Sequence, residues 1–208
     1  MYLHVIFLQV TLGLIAICAN LLSAFSGGGA GLVQLPALIL LGLPFSQALA
    51  THKLASIALG IGASIRHSKE KELDLAFSLF ILCWGLPGVL VGANIIIFIP
   101  SKIATLCLGC LTLLLGFISS RRSDPKNTKN HSREIPRFRK IIGGLVIFII
   151  GVLNGSLTSG TGLFVTLWLV RWFDFSYSRA IAYTLILVGV FWNGTGAIIL
   201  GVNGEIHW

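Results

Sequence analysis

Long apolar runs dominate the chain and predict helices that cross a membrane. Continuous hydrophobic stretches cover residues 5–25, 75–99 and 103–118, and a fourth covers residues 180–202 with a few polar interruptions. Each run is close to the roughly 20 residues that a helix needs to span a bilayer. We therefore expect an all-α integral membrane protein, folded as a polytopic helical bundle.

The first apolar run has the position of a secretory signal peptide but not its parts. It lacks a basic segment at its start, and no small-x-small cleavage site precedes the glycines that follow. We expect this run to be retained as the first span.

Two polar, glycine-rich segments interrupt the apolar pattern. Residues 26–31 read SGGGAG, and residues 154–162 read NGSLTSGTG. Glycine and short polar residues at these positions favour breaks in a helix. A short apolar piece follows each break, at residues 32–43 and 163–170. If such a piece spans the bilayer, we expect the two halves of the chain to be inverted, and if it turns back within the bilayer, we expect both halves to point the same way.

Each short piece is followed by a turn and a longer predicted helix. The turn of the first half reads LPFSQ and that of the second half reads FDFSYS. Serine is a preferred N-cap residue because its hydroxyl accepts a bond from a free backbone N–H group. We therefore predict that Ser46 and Ser176 cap the two longer helices.

The two halves of the chain share this order of motifs. The matches are residues 29–32 with 160–163, Ala48 and Ala50 with Ala180 and Ala182, and residues 71–75 with 204–208. We interpret them as an internal repeat, which is a common design of transporters. Residues 1–120 then form a first transmembrane repeat, 121–140 a basic linker, and 141–208 a second, incomplete repeat. The alternative is a chance similarity of two glycine-rich apolar segments.

Positive charge is concentrated between the two halves. The chain has 15 Lys and Arg residues against 7 Asp and Glu residues, and eight of the 15 lie in residues 121–140. The positive-inside rule places this linker in the cytoplasm, with the loop at residues 66–74 on the same side. We expect a multi-pass protein of the cell inner (plasma) membrane. Its basic residues then orient it in the lipid bilayer, and we expect no nucleic-acid partner.

Helix breaks at membrane depth predict a substrate pathway. Backbone outside a helix is costly in lipid unless it faces protein or water. A helix start also attracts anions through its free N–H groups and its dipole. Two matched breaks thus predict one central site for a small anionic substrate, although close helix packing is an alternative use of Gly and Ser. The predicted substrate-binding residues are Ser26, Gly27, Gly28, Gly29, Gly31, His52, Lys53, Asn154, Thr158, Ser159, Gly160, Thr161, Gly162 and Asn193.

Lys53 is the most specific of these candidates. It lies well inside an apolar stretch, about 10 Å along a helix that begins at Ser46. An ionisable group at such depth is a functional hypothesis by default, and its cationic head suits an anion. Snorkelling of the ammonium to the membrane interface is the alternative. His52 is a second candidate for binding protons or substrate, although neighbouring residues on a helix do not share a face.

The sequence carries no catalytic constellation. It has no Ser-His-Asp arrangement, no HExxH motif, no P-loop and no paired acids inside a span. The four cysteines lie in apolar runs, and the C-x-x-C pair at residues 107–110 has no second pair or nearby His to complete a zinc site. We therefore expect buried, unreactive thiols, no catalytic residues, no metal, no cofactor and no enzyme activity.

The order of the motifs resembles the TauE/SafE family of membrane transporters, also called sulfite exporters. The resemblance is carried by residues 25–56 in the first half and by residues 159–170, 179–201 and 204–208 in the second. It implies two related halves of about four spans that move sulfur-containing or other small organic anions across the bacterial inner membrane. The family's glycine motif falls on Gly27, Gly28, Gly29, Gly31 and Pro36, and its lysine-containing segment falls on Lys53.

Two functions follow from the resemblance. The first is a secondary membrane transporter that exports small anions such as sulfite, sulfonates or other organic anions. Members of the family usually continue with further spans beyond the position of Trp208, which is why we expect the second repeat to be incomplete. The alternative is therefore a non-transporting membrane partner or assembly protein, a shortened pseudo-transporter. The substrate, the coupling ion and the oligomeric state stay open.

Overall fold

Helices make up nearly all of the described structure. The computed structural model describes residues 2–67, 73–120 and 136–204. In order, the helices are α1 (Tyr2–Ser26), α2 (Ala30–Leu40), α3 (Phe45–His67), α4 (Leu75–Ile97), α5 (Ser101–Ser120), α6 (Arg137–Ser156), α7 (Thr161–Trp172), α8 (Tyr177–Tyr183) and α9 (Asn193–Val202). A π-helical segment, Thr184–Trp192, joins α8 to α9. The predicted all-α architecture is confirmed.

Five described helical segments are long and apolar enough to cross a membrane. They are Gln9–Ser26 of α1, Phe45–Arg66 of α3, Leu75–Ile97, Arg137–Ser156, and Tyr177–Val202, which runs through α8, the π-helical segment and α9. The chain is therefore a multi-pass membrane protein, as the apolar runs predict.

The bundle has two ends, which contacts between helices define. At one end, here called the linker end, the indole Nε1 of Trp172 donates to the carbonyl oxygen of Arg139 at 2.9 Å. The backbone N–H of Asp74 donates there to the hydroxyl of Tyr183 at 2.7 Å. At the opposite end, here called the far end, an apolar cluster joins the start of α3, the end of α4, the start of α5 and the end of α9. Its fully or almost fully buried members include Leu38, Phe45, Ile96, Ala104 and Leu200.

The two short helices α2 and α7 turn back toward the end from which they came. Helix α7 returns to the linker end, because Trp172 at its end contacts Arg139 near the start of α6. Helix α2 returns to the far end, where both Ile39 and Leu12 of α1 pack against the far-end cluster. Each is too short to cross, since 11 or 12 helical residues extend about 16–18 Å. The chain thus contains two helical hairpins, α1–α2 and α6–α7, that enter from opposite ends. The expectation that returning short pieces make both halves point the same way is therefore wrong, because α1 and α6 begin at opposite ends of the bundle.

The hairpin turns need backbone conformations that favour glycine. Gly27, Gly28 and Gly29 all have positive φ, at 74°, 116° and 105°. In the second turn Gly160 has φ 66°, and the threonine at 158 has φ 57°, a conformation that costs a non-glycine residue about 1–3 kcal/mol. The surrounding contacts must hold Thr158 in place.

Helices α4 and α6 approach each other closely. Gly88 and Gly92 on α4 pack against Val152 and Ser156 of α6, and Gly151 of α6 packs against the backbone of Gly85. No side chain separates the two backbones at these positions, which is the packing that small residues permit between membrane helices.

Two local predictions are wrong. The first concerns Ser46. Helix α3 begins at Phe45, and the N–H of Ala48 bonds the carbonyl of Pro44, so Ser46 lies inside the first turn and does not cap the helix. The matching prediction for Ser176 is confirmed, because its hydroxyl accepts from the N–H of Arg179 at 3.4 Å and caps α8.

The second wrong prediction is the burial of the cysteines. Cys18, Cys83, Cys107 and Cys110 are free but exposed, because the apolar runs that carry them turn one face outward. Residues 71–72, 121–135 and 205–208, parts of the predicted repeat match and linker, lie outside the described residues.

Candidate functional site

The two hairpin turns meet inside the bundle. A Cβ atom added to Gly28 would lie 2.6 Å from the carbonyl carbon of Gly162, and one on Gly31 would lie 3.1 Å from the Cα of Ser159. The hydroxyl of Thr166 on α7 donates to the carbonyl of Gly27 at 2.6 Å. The glycines thus permit direct contact between the turn of one hairpin and the helix start of the other.

A small polar cavity lies where the turns meet. Its volume is about 40 Å³, which is room for a few water molecules or one small ion. It is lined by both hairpin turns, by one face of α3 and by the π-helical segment. The polar lining residues are Ser23, His52, Ser56, Asn154, Thr158, Thr161, Thr184 and Asn193, with Gly28, Gly29, Gly31, Gly162 and Gly189 between them. This cavity, here called the central cavity, is the candidate site.

His52 is held in one orientation by two neighbours. Its Nδ1 lies 2.8 Å from the side-chain oxygen of Gln34, and its Nε2 lies 3.3 Å from the hydroxyl of Ser56. An amide oxygen only accepts hydrogen bonds, so in this arrangement Nδ1 carries the proton and Nε2 accepts from Ser56. All three side chains are at most 5% exposed. The ring is therefore fixed with its Nε2 edge toward the cavity.

Lys53 lies beside the cavity that His52 faces but does not line it. Its side chain has no exposed surface, and its Nζ donates to the carbonyl oxygen of Asn154 at 2.8 Å. Gly196 on α9 leaves the space that the lysine chain fills. Among the described residues no carboxylate lies within salt-bridge distance of this ammonium. The snorkelling alternative is wrong, since the ammonium group of Lys53 is buried in the interior and bonds Asn154, a residue of the cavity wall.

Asn154 links the second hairpin turn to the rest of the cavity. Its amide nitrogen donates to the hydroxyl of Thr161 at 2.9 Å and lies 3.4 Å from the side-chain oxygen of Asn193. Its side-chain oxygen is buried without a hydrogen-bond partner, as is the amide nitrogen of Gln34. Unpaired buried polar atoms are costly. Asn154 lines the central cavity, so its side-chain oxygen offers an acceptor to a ligand or to water.

Nine of the 14 predicted site residues line the central cavity: Gly28, Gly29, Gly31, His52, Asn154, Thr158, Thr161, Gly162 and Asn193. The other five, Ser26, Gly27, Lys53, Ser159 and Gly160, lie beside it without lining it. Ser26 is exposed, and its hydroxyl bonds the carbonyls of Leu22 and Gly28.

The prediction of the site missed four polar side chains: Ser23, Ser56 and Thr184, which line the central cavity, and Gln34, which bonds His52. Ser56 lies one helical turn after His52, and that i, i+4 spacing is a signal present in the sequence. Thr184 and Gln34 carry no such signal, because each lies in an apolar stretch and comes near the cavity through the hairpin packing.

The fold and the cavity together define a class: a multi-pass helical membrane protein with a buried polar site at meeting helix breaks. The model of the family described as sulfite exporter TauE/SafE matches residues 12–208. The chain belongs to this family of membrane transporters.

Curated relatives carry the same description. The chain is 28% identical to a probable membrane transporter protein of Haemophilus influenzae, over 91% of this chain and 72% of that protein. It is 24% identical to a probable membrane transporter protein, ORF9, of Sinorhizobium, over 83% and 64%. It is 25% identical to the probable membrane transporter protein YfcA of Escherichia coli K12, over 93% and 70%. The chain thus spans 64 to 72% of the length of these relatives, and no solved structure matches it.

Proposed function

We propose that the protein is a secondary transporter that exports small anions, such as sulfite, sulfonates or other organic anions, through the central cavity. The observation that carries this proposal is the meeting of two helix starts at one buried polar cavity. The first N–H groups of α2 and α7 have no partners within their own helices, and residues 28–31 and 161–162 line the cavity. Both helix dipoles therefore favour negative charge in the same space.

The charge near the cavity supports an anion as the substrate. Lys53 brings a buried ammonium to the carbonyl of Asn154, which itself lines the cavity. No Asp or Glu of the described residues lines the cavity. Hydroxyl groups of Ser56, Thr158 and Thr184 and the ring of His52 supply neutral hydrogen-bonding partners. A volume of about 40 Å³ suits a compact ion better than a large one in this conformation.

The proposal includes two inverted repeats whose short helices are re-entrant in the bilayer. The match of residues 29–32 with 160–163 pairs Gly28 with Ser159 and Gly31 with Gly162. Gly28 contacts Gly162, and Gly31 contacts Ser159. When each residue is replaced by its counterpart in the other repeat, the first contact becomes the second and the second becomes the first. Such reciprocal contacts are what a two-fold relation between the repeats produces. Residues 1–120 and 141–208 are then the repeats, and the basic linker 121–140 between them is cytoplasmic.

We propose no enzyme activity and no cofactor. The central cavity holds a single imidazole, His52, without a carboxylate beside it, and no group of metal-ligating residues occurs among the described residues. The relatives, which are named as transporters, do not favour the alternative of a non-transporting membrane partner.

Anion flux in proteoliposomes tests this function. The purified chain should move labelled sulfite, a small sulfonate or a carboxylate. Lys53→Met keeps much of the side-chain volume but removes the charge, and a charge-assisted interaction is worth about 1.5 kcal/mol or more, so flux should fall about tenfold. Lys102→Met is the control, because Lys102 is exposed at the start of α5 and its loss should leave flux unchanged.

Two outcomes would contradict the proposal at different points. Equal flux in Lys53→Met and the unsubstituted protein removes Lys53 from the site while leaving transport intact. An absence of flux for every one of the three anion classes, in protein that elutes as a single folded species, counts against transport itself.

A further inference from the structure

A second cavity opens at the linker end of the bundle. Its volume is about 410 Å³, which is tenfold larger than that of the central cavity. It lies between the end of α1, the last turns of α3 and the start of α8. Its lining residues are Ala24, Phe25, Leu59, Gly62, Ala63, Arg66, Ser178, Ile181 and Leu185.

Two leucines belong to the walls of both cavities. Leu59 of α3 and Leu185 of the π-helical segment line the central cavity and also this second cavity. Leu185 is 7% exposed, and Leu59 is half-buried. The two spaces are therefore separated by a pair of apolar side chains.

One face of α3 runs through both cavities. His52, Ser56, Leu59, Ala63 and Arg66 follow one another at spacings of four, three, four and three residues, which places them on a single helix face. The first three line the central cavity and the last three line the second one. From Leu59 to Arg66 the helix rises about 10 Å. This face connects the central cavity to the linker end.

The positive charge on this face of α3 is that of Arg66, at the end of the face nearest the linker end. Arg66 is exposed at the mouth of the second cavity, and its guanidinium matches the planar oxygens of a carboxylate or the oxygens of a sulfonate. Deeper in, the lining is apolar except for Ser178. A positive mouth over an apolar passage raises the local concentration of anions.

Among the described residues, the far end is closed by packed apolar side chains. Leu35, Leu38 and Leu49 have no exposed surface there and pack together with Phe45 and Leu200. In this conformation the central cavity is thus separated from the linker end by two side chains, and from the far end by a packed apolar cluster.

We propose that the second cavity is the access vestibule of the transporter, in which Arg66 captures the substrate anion from water and Leu59 and Leu185 form the barrier to the central cavity. This inference rests on the proposed function for the identity of the anion. The vestibule itself is a water-filled space, and its existence is measurable without transport.

Cysteine labelling tests the vestibule. In a protein whose four native cysteines are replaced by alanine, Gly62→Cys places a thiol in the vestibule one turn below Arg66. Gly109→Cys is the matched control, because both glycines have open space within 4 Å but Gly109 faces outward on α5. A membrane-impermeant anionic methanethiosulfonate should modify Gly62→Cys and leave Gly109→Cys unmodified. Equal, slow labelling of both would mean that lipid fills the cavity, and would overturn the proposal.

The charge of the reagent tests Arg66. Neighbours at i and i+4 on a helix are about 6 Å apart, so Arg66→Gln should slow labelling of Gly62→Cys by an anionic reagent about threefold. It should speed labelling by a trimethylammonium reagent of the same size. A ratio of the two rates that does not change would remove Arg66 as the capturing residue, whatever the flux measurement gives.

The barrier is tested from its inner side. Ser56→Cys places a thiol in the central cavity, and Leu185→Ala should accelerate its labelling by the anionic reagent about tenfold or more, since the apolar constriction is opened. Leu54→Ala, on another face of α3, is the control and should leave the rate unchanged. Equal rates in the two variants would show that Leu185 does not separate the cavities. If the labelling rates are as expected but the protein does not transport any of the anions, the proposed function is contradicted and the vestibule is not.

Discussion

At the scale of single residues, the position of Lys53 depends on a glycine of another helix. A Cβ on Gly196 would lie 2.8 Å from both the Cε and the Nζ of Lys53. Overpacking of this kind costs about 1–3 kcal/mol, so Gly196→Ala should lower the free energy of unfolding by that amount. Gly194→Ala, in the same helix, meets nothing within 4 Å and should be neutral or slightly stabilising.

Denaturant unfolding in detergent measures the difference between these two variants. Equal stability of Gly196→Ala and Gly194→Ala would show that the lysine chain moves aside at no cost. In that case the bond from Nζ to the carbonyl of Asn154 would not fix the ammonium in place.

Residue chemistry explains why the sequence predicts some of the site and not the rest. Glycine and short polar residues inside apolar runs are visible in the sequence, and most of those predicted line the central cavity. Lys53 is visible too, but the direction of its side chain depends on Gly196 and Asn154, which lie more than 100 positions away in the sequence. The partner of His52, Gln34, is equally a product of packing.

At the scale of helices, the contact between α4 and α6 is the most sensitive to added volume. A Cβ on Gly151 would collide with the carbonyl oxygen of Gly85, which is backbone and moves only if the helices separate. We expect Gly151→Ala to lower the unfolding temperature by several degrees, as overpacking by about 1–3 kcal/mol does. Gly116→Ala on α5 is the control, because Gly116 has open space around it. Equal unfolding temperatures of the two variants would show that the contact between α4 and α6 tolerates the added volume.

Helix positions follow from apolar runs, but hairpin direction does not. The runs predict α1, α4, α5 and the long helix from Tyr177 to Val202 within a few residues. Whether α2 and α7 cross or return is decided by contacts of Trp172 with Arg139 and of Ile39 with the far-end cluster. Local propensity carries no information about such contacts, which is why the sequence leaves both choices open.

At the scale of the whole molecule, the two hairpins enter from opposite ends, and this predicts a membrane topology. The start of α1 lies at the far end, whereas the start of α6 lies at the linker end. A tag placed before α1 should therefore be digested by protease added on one side of the membrane, and a tag in the linker from the other side. If protease added to one side of sealed vesicles digests both tags, the two tags lie on the same side of the membrane, and the inverted arrangement is contradicted.

Lys53 and Leu185 occupy matching positions, because the offset that pairs Ala48 with Ala180 also pairs these two. Leu185 keeps its place by apolar contact, and Lys53 by a bond to a neutral carbonyl. The free energy needed to separate Leu185 from Leu59 is much the same whether or not an anion is nearby. Releasing an ammonium becomes easier when an anion takes over as its partner, since a charged acceptor binds more strongly than a neutral one. We therefore expect an anion bound in the central cavity to draw Lys53 away from the carbonyl of Asn154 and to leave Leu185 in place, so that loading changes one of these two matching positions and not the other.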